Sequence, residues 1–96
     1  MYWATITFRS DGSSDLKDAL REWSDHIRDA HPKIREVRCY QFNAGTSVVW
    51  QEGFDDFHDY QELIEQEDDE CELVMSKVFV HAIPGTRAGQ IWTDGI

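Results

Sequence analysis

The stretch TSVVWQEGFDDFHDYQELI, Thr46 to Ile64, decides the fold. Its first half, Ser47 to Phe54, alternates β-branched and aromatic residues with polar ones and reads as a strand. Gly53-Phe54 closes that strand, and Asp55-Asp56 turns the chain and caps a helix, favoured at its positive N-terminal end. Phe57, Tyr60, Leu63 and Ile64 then recur at helical spacing and define that helix's apolar stripe.

Upstream, Ile34 to Phe42 is a second strand joined to Ser47–Phe54 by Asn43-Ala44-Gly45-Thr46, a hairpin connection. Counting Ala44-Gly45-Thr46 as a three-residue loop sets Phe42 opposite Val48, Tyr40 opposite Trp50, Arg38 opposite Glu52 and Glu36 opposite Phe54. Three of these pairs are chemically sensible, and such pairs contribute a few tenths to about 1 kcal/mol each. The alternative, a two-residue loop, places Arg38 opposite Gln51 and Cys39 opposite Trp50; the first register is preferred. Further upstream, Tyr2 to Arg9 is a strand with Tyr2, Ala4, Ile6 and Phe8 on one face and Trp3, Thr5 and Thr7 on the other. After the turn Ser10-Asp11-Gly12-Ser13-Ser14, a helix starts near Asp15. Leu16, Ala19, Leu20, Trp23, Ile27 and Ala30 form its apolar stripe, and Pro32 ends it.

Downstream, the acidic run Glu65 to Glu72 contains the stop of the Phe57 helix and a short further helical turn over Glu70 to Ser76. Val78 to Ile83 reads as the fourth strand, Pro84-Gly85 as a type II turn, and Gln90 to Thr93 as a short extended tail. The order strand, helix, strand, strand, helix, strand is the ferredoxin-like βαββαβ arrangement, an α+β fold with an antiparallel sheet and two helices on one face. Residues 1–96 form one domain. The other sheet face would expose Trp3, Thr5, Val37, Cys39, Val49 and Phe79 or Val80. Cover for these residues is expected from a second copy, a homodimer, with the tail Gln90 to Ile96 reaching across.

Acidic residues number 19 against 9 basic, a formal charge of −10. That sign repels nucleic-acid phosphates and anionic headgroups, so neither nucleic acid nor membrane is expected as a partner. Three lysines against 19 acidic residues is also the balance of proteins adapted to high salt. The start MYWATITFR has no signal-peptide pattern and no run is long and apolar enough to span a bilayer, which points to a cytoplasmic chain. Cys39 and Cys71 make no disulfide framework, and both are expected reduced.

The segment Val48-Val49-Trp50-Gln51-Glu52-Gly53-Phe54-Asp55-Asp56-Phe57, with the element order around it, resembles the dimeric α+β barrel superfamily that includes the antibiotic-biosynthesis-type monooxygenases. The resemblance implies two sheets closed into a barrel, with a pocket in each subunit between its own sheet and helices. It also implies that a tryptophan matching Trp50 lines that pocket and that oxygenation proceeds on the substrate's own electrons, with no cofactor. Haem-degrading relatives add an asparagine on the first strand and a histidine on a helix after the tryptophan strand. The first strand here has no asparagine and the helical segment after Tyr60 offers no histidine, so haem degradation is not expected.

Trp50, Tyr40, Phe42, Phe54 and Trp23, with Arg38 beside them, are the candidate ligand-binding residues for a small aromatic molecule. The same aromatics at strand and helix spacing also read as plain core, and both readings stand at this point. Glu52, and His26 at the end of the first helix, are the polar groups within reach. His81 and Tyr40 are the candidates for moving a proton. His58 and Glu62, four apart on a wet helix face, supply only two metal ligands, and no metal site is expected from them. Cys71, among Asp69, Glu70 and Glu72, lies in a field that raises a thiol pKa and disfavours a nucleophile. Two functions therefore stand: a cofactor-independent monooxygenase acting on an electron-rich aromatic, or a non-catalytic dimeric module for binding or assembly.

Overall fold

The computed structural model describes residues 1–93. Strand β1 (Tyr2–Arg9) leads to helix α1 (Asp15–Ala30), the hairpin β2 (Glu36–Phe42) and β3 (Ser47–Phe54), helices α2 (Phe57–Glu65) and α3 (Asp69–Phe79), and strand β4 (Ala88–Thr93). All neighbours are antiparallel in the order β2-β3-β1-β4, the ferredoxin-like strand order, so the α+β expectation holds. No helix among the described residues is long and apolar enough to cross a membrane.

α1 forms where its stripe demands it. Leu16, Ala19, Leu20, Trp23 and Ile27 are buried, while Ala30 at its end is exposed. Trp23 stacks flat on Trp50 of β3, centroids 3.7 Å apart and planes 5° from parallel, and both rings are almost wholly buried. Rings of this size remove about 150–250 Å² each from water, which makes the pair the centre of the core. Phe54 continues the aromatic layer between Tyr2 and Tyr60, with centroids at 5.7 and 4.9 Å.

Three expectations are corrected. The hairpin register is the alternative one: Cys39 faces Trp50, Arg38 faces Gln51 and Phe42 faces Ser47. Its connection is the four residues Asn43 to Thr46, with Asn43, Ala44 and Gly45 all left-handed (φ 53°, 56° and 85°). The shift by one residue exchanges the faces of β2, because the side-chain period of a strand is two. Val37 and Cys39 therefore join the helix-covered side. Tyr40 and Phe42, 45% and 53% exposed, lie on the outer face with Val49, Trp3 and Thr5.

The second correction concerns Val78 to Ile83, which is not a strand. Asp68 caps α3 through a 2.9 Å bond from the Cys71 backbone N–H, and the helix runs to Phe79 because Cys71, Val74 and Val78 share one buried side. The β-branched composition of that stretch yields to burial at helical spacing. The fourth strand is instead the segment from Ala88. It pairs along β1 of its own chain, with Trp92 opposite Trp3 and its indole N–H donating to Thr5 Oγ1 at 2.9 Å. The tail thus has a place on its own subunit up to Thr93; residues 94–96 of the expected tail lie outside the described residues. The Pro84-Gly85 turn is present, closed by Thr86 N–H on the Ile83 carbonyl, with Gly85 at φ 81°.

Thirdly, α2 buries less than its stripe suggests. Asp56 caps it as expected, accepting from the His58 N–H at 2.9 Å. Phe57 and Ile64 are nevertheless exposed, and only Tyr60 and Leu63 pack partway against the core. The helix stands off the sheet, with a cavity beneath it.

Candidate functional site

That cavity, about 370 Å³, lies between β1, β3 and the three helices. It falls near the lower end of the range of small-molecule sites, about 300–1,000 Å³. Ile6, Trp23, Ile27, Leu63 and Met75 make its apolar wall, and Glu52, His31, Tyr60, Asp68 and Arg87 bring polar groups to it. A larger depression of about 640 Å³ on the outer side of α1 and α3 is lined mainly by charged residues such as Asp18, Arg21, Glu22 and Asp25. It has the character of a solvated surface rather than an enclosed site.

Glu52 is the most unusual member of the cavity wall. Its position in β3 directs it inward, two residues from Trp50, whose indole N–H donates to Glu52 Oε1 at 2.9 Å. The residue is only 6% exposed. Burial pushes its carboxyl above the usual carboxylate range, against smaller opposite pulls from the Trp50 bond and nearby His31. The Tyr60 phenol is likewise pushed up, first by burial and then by the Glu52 charge, with Arg87 opposing. Arg87 lies exposed at the edge of the cavity, its guanidinium 4.2 Å from the centre of the Phe79 ring. The Trp23 indole N–H is enclosed in the wall, beside the Cys71 thiol.

At the end of α1, His26 Nε2 and His31 Nε2 each lie 2.8 Å from the same oxygen, Asp68 Oδ2. Burial works to raise the Asp68 carboxyl. Bonds from His26, the Cys71 backbone and His31 outweigh it and hold the group well below its usual range. Cys71 is pushed up to about 11, by burial first and then by Asp68 and Glu52. Cys39 is also pushed up to about 11, by burial alone. Neither thiol is poised as a nucleophile at neutral pH.

Among the residues expected at the site, Trp23 borders the cavity, while Trp50 and Phe54 sit in the core behind it. The structure does not bring Tyr40, Phe42 and Arg38 to them. Tyr40 stacks on Phe42 at 6.4 Å on the outer face, and Arg38 lies 4.5 Å over the Trp3 ring there. His81 lies in the turn after α3, its Nδ1 3.0 Å from Asp11 Oδ2, where it ties that turn to the loop before α1. His58 and Glu62 form an exposed pair at 3.2 Å, with Lys33 on the same carboxylate. His31, Asp68 and Arg87 were not singled out from the sequence. Asp68 had a legible signal, an aspartate three residues before Cys71 at the head of a helical stripe.

Compared with solved structures, the chain is similar over nearly its whole length to several oxygenases. A mutant of SnoaB, a cofactor-independent oxygenase from Streptomyces nogalater, superposes with a TM-score of 0.78 at 9% identity, spanning 97% of this chain and 91% of that one. The monooxygenase from the gene ActVA-Orf6 of Streptomyces coelicolor, in complex with nanaomycin D, gives 0.71 at 14% identity over 98% and 87%. A further antibiotic biosynthesis monooxygenase gives 0.72 at 14% identity over 100% and 99%. No family model matches the chain, and no curated protein matches it in sequence. The chain shares its ferredoxin-like α+β fold with these oxygenase structures.

Proposed function

We propose that the cavity is a small-molecule site at which an electron-rich hydroxyaromatic is oxygenated by dioxygen. The observation that carries this reading is the buried Glu52 carboxyl beside the apolar wall of a cavity of about 370 Å³. A carboxylate held out of water is a stronger base than one on the surface, and in this reading Glu52 takes the phenolic proton. The phenolate then passes one electron to dioxygen, and the two radicals join in a carbon–oxygen bond. The resulting hydroperoxide loses water to leave a quinone. One oxygen atom ends in the product and one in water, and all four electrons come from the aromatic. Arg87 at the cavity's edge favours an anionic group on the substrate in a chain that is otherwise acidic. The oxygenase descriptions of the SnoaB and ActVA-Orf6 proteins support the same reaction class.

The test is turnover of fused-ring phenols under labelled dioxygen. One labelled atom is expected in the product, with a rate loss of about 10²–10⁴ in Glu52→Gln, the usual value of a general base. Label-free product, or a rate unchanged in that variant, would contradict the proposal.

The same reading makes the functional unit a homodimer. Tyr40, Phe42 and Trp92 are exposed on the outer sheet face beside Val49, and a second sheet packed there covers them. Light scattering behind a sizing column is expected to give twice the chain mass; a monomer at micromolar concentration would contradict it. The acidic surface is read as an adaptation to high salt.

A further inference from the structure

We infer that His26, His31 and Asp68 form a binding site for one divalent transition-metal ion. The three ligand atoms, two imidazole nitrogens and a carboxylate oxygen, lie within 4.8 Å of one another. They come from three separate places, the last turns of α1, the residue just after it and the N-cap of α3, and converge on one point. Both histidine side chains are nearly buried, 10% and 6% exposed, so the cluster is not a solvated surface group. The donor set favours zinc, cobalt or iron(II) over calcium and magnesium, which prefer all-oxygen shells.

Each ligand is already oriented. Asp68 uses Oδ1 to cap α3 through the Cys71 N–H, which leaves Oδ2 directed at the histidines. His26 offers Nε2 to the centre, while the exposed Glu70 carboxylate lies 3.8 Å from its Nδ1, beyond hydrogen-bond distance but near enough to add negative charge behind the ring. Metal–nitrogen bonds of about 2.0–2.1 Å in tetrahedral geometry put ligand atoms about 3.3 Å apart. The two 2.8 Å nitrogen–oxygen separations therefore have to widen by about 0.5 Å, and the two imidazole nitrogens, within 4.8 Å of each other, have to settle at the same spacing, an adjustment of a helix cap and of a residue at a helix end. An ion there would tie α1 to α3 at the edge of the cavity, which His31 and Asp68 also line. Hydrogen bonding alone would require both histidines to donate to one oxygen, and the metal replaces both donations with coordination.

The inference does not rest on the proposed oxygenation and is tested without substrate. Zinc is titrated calorimetrically into the metal-free full chain, with excess magnesium present to occupy the surface carboxylates. One ion per chain is expected. His26→Gln and His31→Gln should each weaken binding by more than the roughly 10–100-fold that an outer-shell partner is worth, and Glu70→Gln by less than that. His58→Gln should leave it unchanged. A readout that needs no variant is the histidine ring spectrum of the unmodified chain: zinc should move the His26 and His31 ring signals and leave His58 and His81 in place. Binding that survives His31→Gln, binding lost in His58→Gln, or ring shifts confined to His58 or His81 would overturn the site. Absence of any stoichiometric binding would overturn it too.

Discussion

Glu52 sits in a strand whose neighbours on the same face, Trp50 and Phe54, are fully buried, and a carboxyl in that company costs stability once it ionises. Its folded-state pKa is raised above the unfolded value. The folded chain therefore binds this proton more tightly than the unfolded chain, and stability falls as pH rises from the unfolded carboxylate range through the folded pKa. Glu52→Gln keeps an acceptor for the Trp50 indole and removes the ionisation. Urea unfolding across that window should show a shallower fall with pH in the variant than in the parent; parallel curves would mean that Glu52 ionises without cost. From the sequence, Glu52 was visible as a polar residue in an apolar strand. Its burial was not, because that depends on which β2 residues lie beside it.

At the scale of elements, legibility followed local constraint. α1 could be read closely because its stripe repeats at 3.6 residues and Pro32 stops it. The hairpin could not, because a difference of one residue in the connection inverts the faces of β2, and Tyr40 and Phe42 went with it. Val78 to Ile83 reads as a strand because its β-branched residues match one locally, whereas the burial of Cys71, Val74 and Val78 on one side is a tertiary fact. The candidate site was half legible for the same reason: Trp23 comes from the well-read helix, while His31, Asp68 and Arg87 depend on how α1, α3 and the turn before β4 meet. The observed hairpin carries a non-glycine residue, Ala44, at φ 56°. Left-handed backbone costs an L-residue about 1–2 kcal/mol, partly offset by the extra unfolded-state freedom of glycine. Ala44→Gly is accordingly expected to stabilise the chain by about 0.5–1 kcal/mol in urea unfolding. A loss of stability would speak against the left-handed turn and the register it sets.

The whole molecule carries −10 on 96 residues. Screening shortens the Debye length from about 10 Å at 0.1 M salt to about 3 Å at 1 M, so self-repulsion relaxes and the melting temperature should rise between those concentrations. A flat or falling value would remove the basis for reading the surface as adapted to high salt. The central claim, that ligands enter the cavity under α2 rather than settle on the outer sheet face, has a direct probe in the four tryptophans. Trp23 borders the cavity, Trp50 lies behind it bonded to Glu52, and Trp3 and Trp92 stack at 6.0 Å on the outer face. Titrating fused-ring phenols into nitrogen-labelled chain and following the four indole N–H signals separates the two surfaces in one experiment. The Trp23 signal should move most and Trp50 less, with Trp3 and Trp92 unchanged; movement at Trp3 and Trp92 with Trp23 still would contradict the account.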